Sequence, residues 1–318
     1  MALIIDFIGQ GVQMFLVLAI APLTLGVTRK VKARLLRRRG ASVLQPYLDL
    51  WKLLHKEAVI AHNASWLYRV APYLVFAVTW VAAALVPTYA TGLMFSWSAD
   101  LIAIVALLAT ARFALALAGM DVGTAFGGIG SSREMMIASL AEPAMLLVVF
   151  TVALLIGTTQ LSTIATQFVN QPVGLRVSLG LALFAFVFVA VAENARIPID
   201  NPATHLELTM VHEAMVLEYA GRHLAMIEAA SALKLVLYFS LLCCLFVPFG
   251  IATTDKGFLA LAVGIVLYLV KVLVLAVLLP IGETTVAKMR VFRYPIFLGG
   301  AFAAAALAVF LLFVSKGF

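Results

Sequence analysis

The chain has 318 residues, of which 64% are hydrophobic and only 12% charged. With a mean hydropathy of +1.10 there is too little polar surface to wrap one or two cores in water, which excludes a soluble protein. Lys and Arg outnumber Asp and Glu by 22 to 15, for a net charge of +7; in so apolar a chain this excess reads as a membrane-orientation signal, not a nucleic-acid footprint.

Backbone amides in hydrocarbon must be satisfied internally, so apolar runs of about 20 residues are helices crossing a bilayer. Eight such runs lie near Leu3–Val27, Val70–Tyr89, Leu101–Ala118, Met136–Gly157, Val177–Ala192, Leu224–Val247, Phe258–Ile281 and Pro295–Val314. They predict an all-α integral membrane protein in which residues 1–318 form one membrane domain. Alternating strand patterns are missing, which argues against a barrel, and no internal repeat is visible. The first run is too long for a signal-peptide core, carries Asp6 in place of a basic leader and lacks a small-x-small cleavage site, so it is expected to stay in the mature protein.

Basic residues crowd the odd-numbered connections. The first holds Arg29, Lys30, Lys32, Arg34, Arg37, Arg38, Arg39, Lys52, Lys56 and Arg69, and the others hold Arg133, Arg196, Arg222, Lys288, Arg290 and Arg293. The even-numbered ones offer Lys256, with Arg176 at a boundary. Odd connections are therefore expected in the cytoplasm and both termini on the outer face. Within the first connection, Tyr47, Leu50, Trp51 and Leu54 fall on one helical face and Asp49, Lys52, His55 and Lys56 on the other. This predicts an interfacial amphipathic helix, either a plain membrane anchor or a lid or platform for a soluble partner.

A charge at bilayer depth costs a few kcal/mol or more unless it meets a partner or water. Arg112, Glu142, Lys234 and Lys271 lie too deep to snorkel, and Glu193, Glu213, Glu218, Glu228 and Glu283 sit at helix ends or entrances. Acids and bases spread over several helices are what a proton path needs; static salt-bridging is the competing reading.

Other motifs carry less. Gly128-Ile129-Gly130 follows no strand, which argues against a dinucleotide site, and His212-Glu213 has Val216 where a zinc helix needs its second His. His205, His212 and His223 could titrate near neutrality. Gly119, Gly123 and Gly127 suit either close helix contact or a turn. Cys243 and Cys244 are adjacent in an apolar run and read as buried small side chains.

Three odd-numbered connections together resemble one family. They read RRRGASVLQPYLDLWKLLHKE from Arg37 to Glu57, GMDVGTAFGGIGSSRE from Gly119 to Glu134 with Glu142-Pro143 beyond, and ENARIPIDNPATHLEL from Glu193, closing with LEYAG at Leu217 to Gly221. This is similar to the eight-helix subunit of respiratory complex I, called subunit 1 or H, and its counterparts in membrane-bound nickel-iron hydrogenases such as formate hydrogenlyase. The short Gly40 to Pro46 interval and the Gly-x-Gly-x-Ser-Arg-Glu at Gly128 to Glu134 favour the hydrogenase branch. One departure falls after Asp200, where Ala203, His205 and Glu207 stand at positions usually acidic; that loop borders the quinone chamber in complex I, so the change counts against quinone binding.

The resemblance implies a non-catalytic subunit with no redox cofactor of its own. It would hold an iron–sulfur small subunit and a hydrogenase-like large subunit, which carry the clusters and a nickel-iron centre, beside antiporter-like membrane subunits in a prokaryotic inner membrane. It places an acidic route on Glu142, Glu193, Asp200, Glu207, Glu213 and Glu218, to which the depth argument adds Glu228, Lys234, Lys271 and Arg112. Partner docking falls to Arg37, Arg39, Gln45, Asp49, Lys52, Glu57, Asp121, Arg133, Glu134 and Arg196. The subunit's role would be to couple electron transfer in the partner chains to translocation of protons or sodium, since carboxylates serve both ions. A free-standing secondary transporter and a purely structural anchor are the alternatives.

Overall fold

A computed structural model describes residues 2–170, 176–200, 210–253, 257–289 and 293–316. In chain order these form α1 (Ala2–Leu35), α2 (Gln45–Leu54), α3 (Trp66–Leu85), β1 (Ala90–Thr91), α4 (Leu101–Asp121), α5 (Ala125–Ile156), α6 (Leu161–Asn170), α7 (Val177–Glu193), α8 (His212–Val216), α9 (Gly221–Phe246), β2 (Ala252–Thr253), α10 (Phe258–Thr285) and α11 (Tyr294–Lys316). Among the described residues, 7 helices (α1, α3, α4, α5, α9, α10 and α11) are long and apolar enough to cross a membrane. The remaining expected crossing is α7, apolar but only 17 residues long, at the short end of what spans a hydrocarbon core of about 30 Å.

Successive crossings put the connections α1–α3, α4–α5, α7–α9 and α10–α11 on one side, here the basic face. The glycine-rich stretch expected as a loop is mostly helix, because α5 begins at Ala125 and not near Met136. Thr124 caps it, its Oγ1 accepting from Gly127 N at 3.2 Å. Gly123 turns the chain with φ +71°, and a Cβ on Gly127 would sit 2.0 Å from Gly119 O. The bare backbones of α4 and α5 therefore touch, which only glycine permits.

The main core gathers Leu101 and Ile104 of α4, Val148 and Val149 of α5, Phe186 and Val189 of α7, Leu233 and Val236 of α9, and Leu298 and Ala301 of α11. The most apolar window of α9 is 72% buried and that of α10 only 22%, so α9 is the central pillar and α10 a peripheral arm. On the face opposite the basic one, Ala90 and Thr91 pair in parallel with Ala252 and Thr253. This two-residue ladder and the short α6 and α8 were not legible as periodic patterns.

Candidate functional site

Arg112, on α4, is 6% exposed and faces three carboxylates. Its Nε lies 3.5 Å from Glu134 Oε1, its Nη1 3.1 Å from Glu142 Oε1, and its Nη2 pairs with Glu193 Oε2. Lys234 Nζ, from α9, approaches the same Glu193 oxygen at 3.0 Å. Glu134 and Glu142 share a face because they are a little over two helical turns apart on α5. Glu193 arrives from the last residue of α7. Three carboxylates thus face two cations, deep among apolar helices where every unpaired charge is costly.

Two cavities flank this cluster. One of about 50 Å³ is lined by Thr79, Arg112, Glu134, Glu193, Ser231 and Lys234, and its wall continues to His212 on the basic face. It has room for a few waters, each needing about 10–15 Å³. The other, about 10 Å³, is lined by Arg112, Glu142, Glu193 and Tyr238 among others. Leu108, Arg112 and Glu193 line both, so the Arg112–Glu193 pair is the partition between them. Glu142 lies beyond the partition with its side chain 37% exposed on the flank of α5.

The other acids expected on a route scatter. Asp200 is buried and accepts from Lys288 Nζ at 3.1 Å. Glu213 and Glu228 are half-buried, Glu218 is exposed, and Glu228 has Arg29, Glu213 and Asp49 as charged neighbours. Glu207 and His205 lie outside the described residues. Lys271 is far from the cluster: its Nζ donates to Val247 O at 2.7 Å and to Phe249 O, 4.1 Å above the Phe249 ring centroid. It caps the carbonyl end of α9 as a cation at a helix C-terminus does.

Among residues expected at a docking surface, Arg37, Arg39, Lys52 and Glu57 are exposed. Gln45 and Asp49 are half-buried and bonded to each other at 2.8 Å. Asp121 Oδ2 accepts from Ser65 N at 2.8 Å, and Arg133 Nη1 donates to Met210 O at 2.6 Å. Two placements differ from expectation. Glu134 belongs to the cluster, since α5 starts early enough to turn it inward. Arg196 is buried, 3.6 Å from Glu283, which also holds Lys32 at 2.7 Å. Burial pulls the Arg196 guanidinium below its usual pKa, and Glu283 pulls it back up. Glu134 was legible in principle, from its two-turn spacing to Glu142; Glu283 and Lys32 are partners that only the fold brings together.

The three motif segments converge on the basic face. A Cβ on Gly221 would meet Glu57 O at 2.4 Å and one on Gly130 would meet Val211 O at 2.9 Å. Tyr219 stacks on Tyr68 with ring centroids 4.0 Å apart and donates to Tyr68 O at 3.1 Å. Burial, with Tyr68 and Asp121 nearby, raises the Tyr219 hydroxyl above its usual pKa.

Fold and site together define a multi-pass helical membrane protein with an ion-pair cluster buried between cavities. The family described as NADH dehydrogenase matches residues 10–314, and the chain belongs to that family. It is 33% identical to formate hydrogenlyase subunit 4 of Escherichia coli over 88% of this chain and 90% of that one. It is 34% identical to hydrogenase-4 component C of the same organism, over 87% of each. One subunit of the NADH-quinone oxidoreductase of Syntrophotalea carbinolica is 28% identical over 77% of this chain and 78% of that one. A chain in the structure of the membrane-bound sulfane sulfur reductase, an archaeal respiratory membrane complex, superposes with a TM-score of 0.82 at 21% identity. That match covers 96% of this chain and 99% of the other, and it shows the fold. Among the described residues no group of three or more His, Cys, Asp or Glu could hold a metal ion.

Proposed function

We propose that this chain is a non-catalytic membrane subunit of a multi-subunit oxidoreductase that couples electron transfer in partner chains to proton translocation. The carrying observation is the Arg112 cluster, with three carboxylates from two helices joined to two cations and water-sized space on both sides. The names of the relatives support a subunit role: a formate hydrogenlyase subunit, a hydrogenase-4 component and a quinone oxidoreductase subunit. They speak against a free-standing transporter.

In this reading an iron–sulfur small subunit and a hydrogenase-like large subunit, holding the clusters and any nickel-iron centre, sit on the basic face, which is cytoplasmic in a prokaryotic inner membrane. Both termini are then outside. Docking draws on Glu57, Asp121 and Arg133, where the motif segments meet. A rearrangement there reaches the cluster through α8, whose His212 borders the larger cavity. Protons enter by that cavity, exchange at Glu193 and Glu134, and leave sideways at Glu142, whose partial exposure suits a neighbouring antiporter-like subunit. The coupling needed is about 1–3 kcal/mol per event. Purification in mild detergent tests the assignment: recovery with iron–sulfur and large-subunit chains supports it, and recovery alone or as a homo-oligomer contradicts it.

A further inference from the structure

The segment after α1 turns back along that helix. Lys30 Nζ donates to Arg39 O at 2.9 Å, and Gly40 lies against Ala33. Further on, a Cβ on Gly26 would be 1.9 Å from Val43 O, and the Tyr47 hydroxyl donates to Ala19 O. Residues 40 and 43 thus pass positions 33 and 26, a descent of roughly 10 Å at about 1.5 Å per residue, and the Tyr47 side chain reaches on down to Ala19. Arg29 and Lys30 are the first charges after the apolar run of α1, so the start of α2 lies below them, inside the bilayer. The chain climbs out again by Glu57, whose carbonyl abuts Gly221 at the start of α9.

This depth reassigns the faces of α2. Pro46 is buried and Tyr47, Asp49, Leu50 and Leu53 are half-buried. Outward stand Leu44 at 59%, Leu48 at 59% and Trp51 at 67% exposure, at helical spacing and followed on the same side by Lys52. Around them Leu35, Leu36 and Leu54 are also exposed, interleaved with Arg37, Arg38 and Arg39.

We infer that this stripe is a binding site for anionic phospholipid: acyl chains lie along Leu44, Leu48 and Trp51, and headgroups pair with Arg37, Arg38, Arg39 and Lys52. A soluble partner could not reach a face sunk below the first charges of α1, whereas hydrocarbon fills it already. The basic rim complements an anionic leaflet, and Trp at this level is usual. Arg37, Arg39 and Lys52 thereby leave the docking surface expected from the sequence. Lipid binding here is independent of the proton path.

The test is photocrosslinking in native membranes, with the intact complex carrying Leu48→benzoylphenylalanine or Trp51→benzoylphenylalanine. The expected products are phospholipid adducts enriched in anionic headgroups over the bulk membrane. Lys52→Gln or Arg38→Gln should each reduce that enrichment by up to about fivefold, the factor equivalent to about 1 kcal/mol per basic residue. Adducts to protein, no adducts, or lipid adducts that mirror the bulk composition and ignore both variants would each overturn the inference.

Discussion

Arg112 and Glu193 meet across the gap between α4 and α7, and their ion pair is the wall shared by the two cavities. The same guanidinium holds Glu134 and Glu142, so it anchors the whole cluster.

Arg112→Leu leaves the buried Glu134 and Glu193 and the partly exposed Glu142 with Lys234 alone. Removing one partner of a buried pair costs about 3–5 kcal/mol, so the variant should accumulate poorly in membranes. Arg112→Leu combined with Glu193→Gln should recover part of that loss, measured as the yield and thermal stability of the purified complex.

Gly127→Ala drives a methyl into the Gly119 carbonyl and should destabilise by at least about 1–3 kcal/mol, separating α4 from α5. Gly128→Ala, one residue on with nothing within 4 Å, should be neutral. The pair is read by thermal unfolding of the two complexes side by side.

Glu283→Gln weakens the link that ties α1 and α10 to the buried Arg196. Left with an uncompensated charge, Arg196 should make this variant lose about 3–5 kcal/mol, while Lys32→Gln, on the more exposed side of the same link, loses less. Protease protection of the α7–α9 connection would report the difference.

Lys271→Met should lower stability by about 1.5–3 kcal/mol, the worth of hydrogen bonds to a charged group, and leave proton translocation per electron unchanged. A selective loss of translocation with stability intact would put Lys271 back on the route.

Much of this was legible in the sequence because hydrocarbon imposes strict rules on length and charge. The eight apolar runs became α1, α3, α4, α5, α7, α9, α10 and α11, and depth alone singled out Arg112, Glu142, Lys234 and Lys271, of which the first three meet in the cluster and Lys271 lies instead at the end of α9. The glycines allow either helix contact or a turn in the sequence, and the fold uses both: Gly119 and Gly127 make the contact and Gly123 the turn. What the sequence does not show is that α5 starts at Ala125 and not near Met136, which turns Glu134 inward from the docking surface. Amphipathicity misled at α2, where Trp51 and Leu48 face outward and Asp49 inward, because periodicity gives a face but not what lies against it. The pairing of Glu283 with Lys32 and Arg196, and of Lys271 with the end of α9, depends on contacts between distant segments that no local pattern encodes.

Whether the cluster moves protons as partner chains transfer electrons is tested most directly in proteoliposomes, by comparing the intact complex with a Glu193→Gln variant while following internal pH and electron transfer together. The variant gives up a buried partner of Arg112 and Lys234 and should be recovered in lower yield, but each assembled complex should still transfer electrons while losing nearly all of its translocation. Translocation per electron equal to that of the unmodified complex would contradict a proton-moving cluster and leave Glu193 as a structural ion pair.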